Sequence, residues 1–292
     1  MVKDLREPLE LSAPLAWRLA PQLCRKDPAT GENCAWVHGF WQYLRLMGLA
    51  ATPEQHAEFY RRAFQSVTGD RGAPRVLVSG AADYSMLAHV LALYRERGLE
   101  PAVTVVDACD TALFLNRWYA ERVSASVACT RCDILEYTDS APFDAVCTHS
   151  FLVQFSPEQR VRLLAKWRQL LRPGGAVITV TRVRATAGTE RVGFSPEQAQ
   201  AFRATVLHKA EAMRDSLQVD TAELAQAAEI YMNGQRPWPV RTREEVQQLF
   251  ETCGFRVDEL SDAPVTTAAG QQPDGPAVPG SGVRVQVIAT RL

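Results

Sequence analysis

Four short stretches carry the side chains best able to bind or transform a ligand: Gly80-Ala81-Ala82-Asp83-Tyr84, Asp107-Ala108, Cys132-Asp133-Ile134 and Thr148-His149-Ser150. Gly80 permits a tight turn and close approach of a ligand to the backbone at a helix start, although an ordinary strand-to-helix turn asks for the same residue. A carboxylate such as Asp107 can accept both hydroxyls of a ribose, or it can cap the helix that follows. Asp133 can accept an amino group from a flat ring lying on Ile134, or it can close a turn. In that order, a glycine turn followed by two acids reads as an adenosine pocket. His149 is the one side chain of its stretch that titrates near neutrality, so it can take a proton from a bound nucleophile or order its loop by hydrogen bonding.

The elements that would position these residues are legible in the pattern. Residues 75–79, 103–106, 127–129, 145–148 and 176–180 are short apolar runs that predict buried strands, each of the four stretches lying at a strand's carboxyl end. Helical spacing covers 83–98, the stretch through Leu113, Leu115, Trp118 and Tyr119, and 157–171. Strands alternating with helices predict a parallel sheet covered on both faces. Thr52-Pro53-Glu54-Gln55, Ser156-Pro157-Glu158-Gln159 and Ser195-Pro196-Glu197-Gln198 each predict a capping box with proline in the first helical position, and Thr242 with Glu245 predicts a fourth. A helix over 243–252 and strands over 255–260 and 283–289 complete the pattern. The Pro-, Gly- and Ala-rich segment 262–282 between those strands predicts a mobile loop, and strands joined without a helix are expected to be antiparallel.

Here the chain resembles the class I S-adenosylmethionine-dependent methyltransferases. The matching pieces are Val76-Leu77-Val78-Ser79-Gly80, Asp107, Cys132-Asp133-Ile134, Phe143-Asp144-Ala145-Val146 and Leu170-Leu171-Arg172-Pro173-Gly174-Gly175. The resemblance implies a Rossmann-like, doubly wound, seven-stranded sheet, mostly parallel with an antiparallel last strand. It also implies S-adenosylmethionine as cofactor, bound by Gly80, Ala82, Asp83, Asp107, Ala108, Asp133, Ile134 and Thr148. His149 falls where amino-group methyltransferases place the asparagine of an N-P-P-Y motif, which His149-Ser150-Phe151-Leu152 lacks, so its candidacy as catalytic base rests on its own chemistry. The chain departs from the family where an acid usually stands two residues before the first glycine. Val78 holds that place, and Ala82 and Tyr84 hold the later glycine positions. Asp83 is a candidate substitute for the lost acid. A nicotinamide dehydrogenase would need G-x-G-x-x-G, of which only Gly80 is present.

Residues 1–70 are expected to form a helical cap and 195–234 a helical lid, inserted in a core of 71–194 and 235–292. Trp36, His38, Trp41, Tyr43 and Tyr231 on these additions are the candidate contacts to the methyl acceptor, each alternatively a packing residue. Enclosing lids favour a small-molecule acceptor. His56 and His208 read as helix-surface residues and His89 as facing the sheet or its edge. Two other uses of the fold stay open: cyclising or cleaving the cofactor, or binding without catalysis.

Composition narrows the class. The 292 residues are 47% hydrophobic and 22% charged, with a formal net charge of -1, which offers no electrostatic footprint for nucleic acid or an anionic membrane. Early charges (Lys3, Asp4, Arg6, Glu7) interrupt any signal-peptide core, and no run reaches a membrane span. Seven cysteines, an odd and scattered set, suggest reduced thiols in the cytoplasm. Cys129 and Cys132 have C-x-x-C spacing without a second pair, so no metal site is expected. The sequence is compatible with a monomer or an oligomer.

Overall fold

In a computed structural model, the protein is described over residues 7–26, 33–50, 52–67, 73–185, 188–263 and 283–292. In chain order the elements are α1 (Leu9–Leu23), α2 (Ala35–Leu46), α3 (Ala57–Val67), β1 (Arg75–Ser79), α4 (Ser85–Arg95), β2 (Ala102–Asp107), α5 (Asp110–Arg122), β3 (Val127–Arg131), β4 (Phe143–His149), α6 (Pro157–Leu170), β5 (Leu171–Val183), α7 (Pro196–Ala212), α8 (Thr221–Gly234), α9 (Arg243–Thr252), β6 (Phe255–Ala263) and β7 (Val283–Arg291). The 262–282 loop expectation falls almost wholly outside the described residues.

The seven strands follow the order β3-β2-β1-β4-β5-β7-β6. The pairs from β3 to β5 are parallel, and β7 runs antiparallel to both β5 and β6. This is the expected sheet. The chain leaves β1 toward β2 and β3, then returns to place β4 on the other side of β1. The crevice between the carboxyl ends of β1 and β4 is therefore the switch point at which open sheets of this kind bind ligands.

Both faces are covered because the strands are apolar on both sides. One face packs Val76, Val78, Val105, Cys147 and Ile178 against Phe59, Tyr60 and Phe64 of α3, Leu87 and Leu91 of α4, and Leu113 of α5. The other packs Leu77, Val146 and Val177 against Leu163 and Trp167 of α6 and Phe250 of α9, with Trp167 Nε1 donating to Ser79 Oγ at 2.9 Å. A third cluster joins Phe40, Tyr43 and Leu44 of α2 to Phe202 and Val206 of α7 and Leu224, Ala228 and Tyr231 of α8. The N-terminal helices and the insertion thus share one apolar core.

Local signals act as expected at three helix starts. Reciprocal capping boxes form at Thr52, Ser156 and Ser195, the first opening a short 3-10 turn that leads into α3. At the fourth, Thr242 accepts from the Glu245 amide, but the Glu245 carboxylate accepts from Arg241 N–H, one residue earlier, so the box is only half made. The stretch expected as one long helical segment over 195–234 divides into α7 and α8 at a 3-10 turn (Arg214–Ser216). No helix among the described residues is long and apolar enough to cross a membrane.

Candidate functional site

The turn after β1 is built around Gly80, whose φ of +72° suits glycine and whose missing Cβ leaves room for the Phe151 ring. A Cβ there would lie 2.2 Å from that ring. The turn is tied to β2 twice. Gly80 N–H donates to Val106 O at 2.9 Å, and Ala81 N–H donates to Asp107 Oδ2 at 2.8 Å. The other carboxylate oxygen, Oδ1, accepts from Cys109 N–H at 2.7 Å. Asp107 is half-buried and burial raises its pKa, the two amides and nearby His38 opposing that shift. Each oxygen retains a lone pair for a ligand hydroxyl.

Cys132 N–H donates to Asp107 O at 3.0 Å, which brings the Asp133 stretch beside Asp107. Asp133 is exposed and closes its own turn through Leu135 N–H at 2.9 Å. Ile134 is buried in the apolar cluster beneath. Ala108 is exposed on the rim and Ala82 is half-buried in the glycine turn.

Asp83 is engaged elsewhere. It is buried, Oδ2 accepting from Arg45 Nη1 at 2.7 Å and from Gln42 Nε2, while Oδ1 accepts from Ser85 N–H at 2.7 Å. Arg45 also pairs with Glu7, and Ser12 bridges Gln42 to the Tyr84 hydroxyl. Tyr84 in turn stacks on Tyr119 at 4.7 Å. The carboxylate suggested as a stand-in for the missing acid therefore neutralises a buried guanidinium and binds the first helices to the glycine turn. Burial lifts Glu7 to about 7 against the pull of Arg45.

His149 is the last residue of β4, on the sheet face covered by α3. Its Nδ1 lies 3.1 Å from the Tyr60 hydroxyl, which also donates to Thr148 O at 3.1 Å. His56 sits 5.5 Å away, ring to ring, so His56 is a buried neighbour of the site and not a surface residue. Burial, then His56 and Arg284, hold His149 well below the usual imidazole range, so it is neutral at pH 7. Three buried polar atoms at this strand end have no hydrogen-bond partner: His149 Nε2, His56 Nε2 and Thr148 Oγ1. Just beyond, Ser150 adopts a φ of +54°, a strained conformation of the kind that collects at functional sites.

On the same face lie three arginines that sequence reasoning did not single out. Arg182 of β5 and Arg284 of β7 are cross-strand partners, and Arg184 is buried at the end of β5 with Phe194 beneath its guanidinium. None of the three has a carboxylate partner among the described residues. Arg184 Nη1 and Nη2, Arg182 Nε and Arg284 Nε are buried without a hydrogen bond. Burial lowers all three pKa values, Arg284 to about 10. Each lies in a strand-end position that looks unremarkable in sequence, because only the antiparallel return of β7 brings 284 beside 182.

The candidate acceptor contacts turn chiefly toward one another. Trp36 and Phe40 meet the Tyr231 ring edge-on at 6.0 and 5.8 Å, and Trp36 also packs on Gly234. Tyr43 is fully buried against Trp17 at 5.8 Å, and Trp41 is half-buried. His38 faces neither this cluster nor a lid. It joins Cys24, Cys34 and Cys109, the four ligating atoms lying within 4.8 Å of one another. Cys129 and Cys132, the pair noticed in sequence, are not part of this cluster.

Residues 87–175 match the family model described as a methyltransferase domain. No curated protein matches the sequence. Among solved structures, the chain is similar to a SAM-dependent methyltransferase from Methanosarcina mazei, at 15% identity over 78% of this chain and 96% of that one, TM-score 0.50. It is also similar to magnesium protoporphyrin IX methyltransferase from Synechocystis PCC 6803 with bound SAH, at 11% identity over 99% and 98% of the two chains, TM-score 0.50. A third likeness is to the [4+2]-cyclase SpnF, at 15% identity over 83% of each chain, TM-score 0.50. At these identities the likeness establishes the fold.

Proposed function

We propose that the chain, whose residues 87–175 match a methyltransferase domain, is an S-adenosylmethionine-dependent methyltransferase that transfers a methyl group to a small anionic acceptor. The observation that carries the first part is the Asp107 carboxylate at the switch point. It is half-buried, fixed by two backbone amides, and still able to accept from two ribose hydroxyls. Gly80 supplies the left-handed turn that sets this backbone beside Asp107, and Asp133 lies within the same rim. With Asp83 paired to Arg45, the backbone of the glycine turn would hold the methionine end of the cofactor without the family's usual acid.

The cofactor supplies an electrophilic methyl on a sulfonium, so the protein has mainly to align the acceptor and exclude water. Arg184 is buried and Arg182 and Arg284 are half-buried, and none of the three has a counter-charge among the described residues, a costly arrangement that a carboxylate or phosphate on the acceptor relieves. His149, neutral and with Nε2 free, accepts the proton that the acceptor must lose. The Tyr60 hydroxyl at Nδ1 fixes the ring.

Calorimetric titration tests the cofactor, with binding expected for S-adenosylmethionine and S-adenosylhomocysteine and none for NAD. Thermal-shift screening of carboxylates and phosphates in the presence of S-adenosylhomocysteine tests the acceptor class. The shift should be lost in Arg284→Gln, and a response confined to uncharged or cationic compounds refutes it. Product analysis separates methyl transfer, which releases S-adenosylhomocysteine, from cleavage or cyclisation of the aminobutyrate arm, which releases methylthioadenosine.

A further inference from the structure

We propose that Cys24, Cys34, His38 and Cys109 form a closed tetrahedral zinc site that fastens the first two helices to the end of β2. The four come from three places: Cys24 at the C-cap of α1, Cys34 at the N-cap of α2 with His38 one turn later, and Cys109 at the N-cap of α5. Within this set Cys24 Sγ and Cys34 Sγ each lie 3.5 Å from Cys109 Sγ, and Cys24 Sγ lies 3.5 Å from His38 Nδ1. A zinc with sulfur at about 2.3 Å and nitrogen at about 2.0–2.1 Å requires ligand-to-ligand edges of roughly 3.5–3.8 Å in a tetrahedron. The apposition needs little adjustment to take the ion.

The surroundings suit a metal thiolate. Cys24 and Cys109 are buried and Cys34 is half-buried, so these are not casual surface thiols. Neither Cys34 nor Cys109 makes the side-chain cap that a serine or aspartate would make at its helix start. A thiolate at each of these positions instead faces the positive end of a helix. Thr111 Oγ1 is 3.1 Å from Cys24 Sγ, in place to donate to a metal-bound sulfur. All four positions are filled by protein and none is left for water, which makes the site structural and not catalytic. Three soft sulfurs and an imidazole select zinc over calcium or magnesium.

The consequence reaches the cofactor site. Cys109 N–H is one of the two donors that hold Asp107. A metal that fixes Cys109 therefore fixes the carboxylate proposed to bind the ribose, and it does so from the cap. The metal site does not depend on the proposed methyl transfer.

The test uses the full chain, purified under reducing conditions without chelator. Elemental analysis should find a single equivalent of zinc. Cobalt added to metal-stripped protein should give the intense visible bands of tetrahedral coordination together with sulfur-to-metal charge transfer in the near ultraviolet. Cys34→Ser should lose the charge-transfer bands and the stoichiometric zinc, while Cys129→Ser, outside the cluster, keeps both. Should Cys34→Ser fail to fold, His38→Cys carries the test, since a four-cysteine site still binds and its cobalt spectrum shifts. Overturning results are a cobalt spectrum without thiolate charge transfer, Cys34→Ser binding like the parent, or a disulfide between two of Cys24, Cys34 and Cys109 in the purified chain.

Discussion

Asp107→Asn is the substitution whose cost can be worked out most fully. The carboxylate accepts from Ala81 N–H at 2.8 Å and from Cys109 N–H at 2.7 Å. An asparagine keeps one carbonyl oxygen for one of these amides and turns an NH2 toward the other. One hydrogen bond is replaced by two opposed donors in a half-buried setting, worth about 1–3 kcal/mol of stability. The ribose hydroxyls then lose their charged acceptor, and the drop from charge-assisted to neutral bonding is about 1–2 kcal/mol, or roughly 5–30-fold in affinity. Asp107→Ala removes every acceptor and should cost about 1.5–3 kcal/mol of binding as well as leaving two amides unpaired. The strand-end position alone would suggest a fold indifferent to this residue, but the two amides make Asp107 a brace as well as a binder. Calorimetric titration with S-adenosylhomocysteine and thermal melts measure both effects, with exposed Asp133→Asn as the milder comparison. A lowered melting temperature with unchanged affinity refutes the ribose role and leaves only the brace.

His149→Ala should lower release of S-adenosylhomocysteine by about 10²–10⁴-fold while its binding is unchanged; normal turnover would make the histidine a loop-ordering residue. Acid should destabilise the fold through His56, which burial and then Arg284 hold at about 4 against an ordinary 6.5. Because the folded pKa is depressed, its contribution is present above pH 6.5 and is lost as pH falls toward 4, about 3 kcal/mol in all. Glu7, raised to about 7, works in the opposite sense, so the difference between parent and His56→Gln across denaturant titrations at several pH values isolates the histidine. Gly80→Ala should cost at least about 1–2 kcal/mol for the left-handed backbone, plus a clash with Phe151. In denaturant melts, Phe151→Ala should recover part of that loss, and strict additivity of the two would mean that the ring and the turn are independent.

How far the chain could be read in advance depended on the range of the interaction. The strands of the sheet were legible because a buried strand needs an apolar run and a buried crossover helix needs a 3.6-residue stripe, both local. The capping boxes at Ser156 and Ser195 are local too, and they form; the half-made box at Thr242 fails because Arg241 N–H competes for the same carboxylate. Asp107 was legible as a strand-end acid. The pairing of Asp83 is not legible in the sequence because its partners, Arg45 and Gln42, lie about forty residues earlier on another helix. The grouping of His38 with three cysteines is hidden for the same reason, since Cys109 is distant in sequence and Cys34 alone four residues away is a weak signal. Only that i, i+4 pairing of Cys34 and His38 could have prompted a search for two more ligands.

The helices outside the sheet were expected to act alike as lids, yet their attachments differ in kind. The α1–α2 pair is tied to the β1 turn by the buried Glu7–Arg45–Asp83 group and meets the end of β2 at the cysteine–histidine cluster. Swinging it away would strand a buried guanidinium, a loss of about 3–5 kcal/mol for a broken buried pair. The α7–α8 pair rests on α2 through Phe202, Leu224 and Tyr231, and its Arg203–Glu229 and Arg214–Glu211 ion pairs run within the pair itself. Apolar contacts are non-directional and can slide at lower cost. The insertion is therefore expected to open more readily than α1–α2, which is expected to stay fixed as its floor. Hydrogen exchange should show faster exchange in α7–α8 than in α1–α2 without ligand, and a gain in protection on adding S-adenosylhomocysteine confined largely to the insertion. Equal protection of the two pairs in both states would mean that the cap moves as one body or not at all.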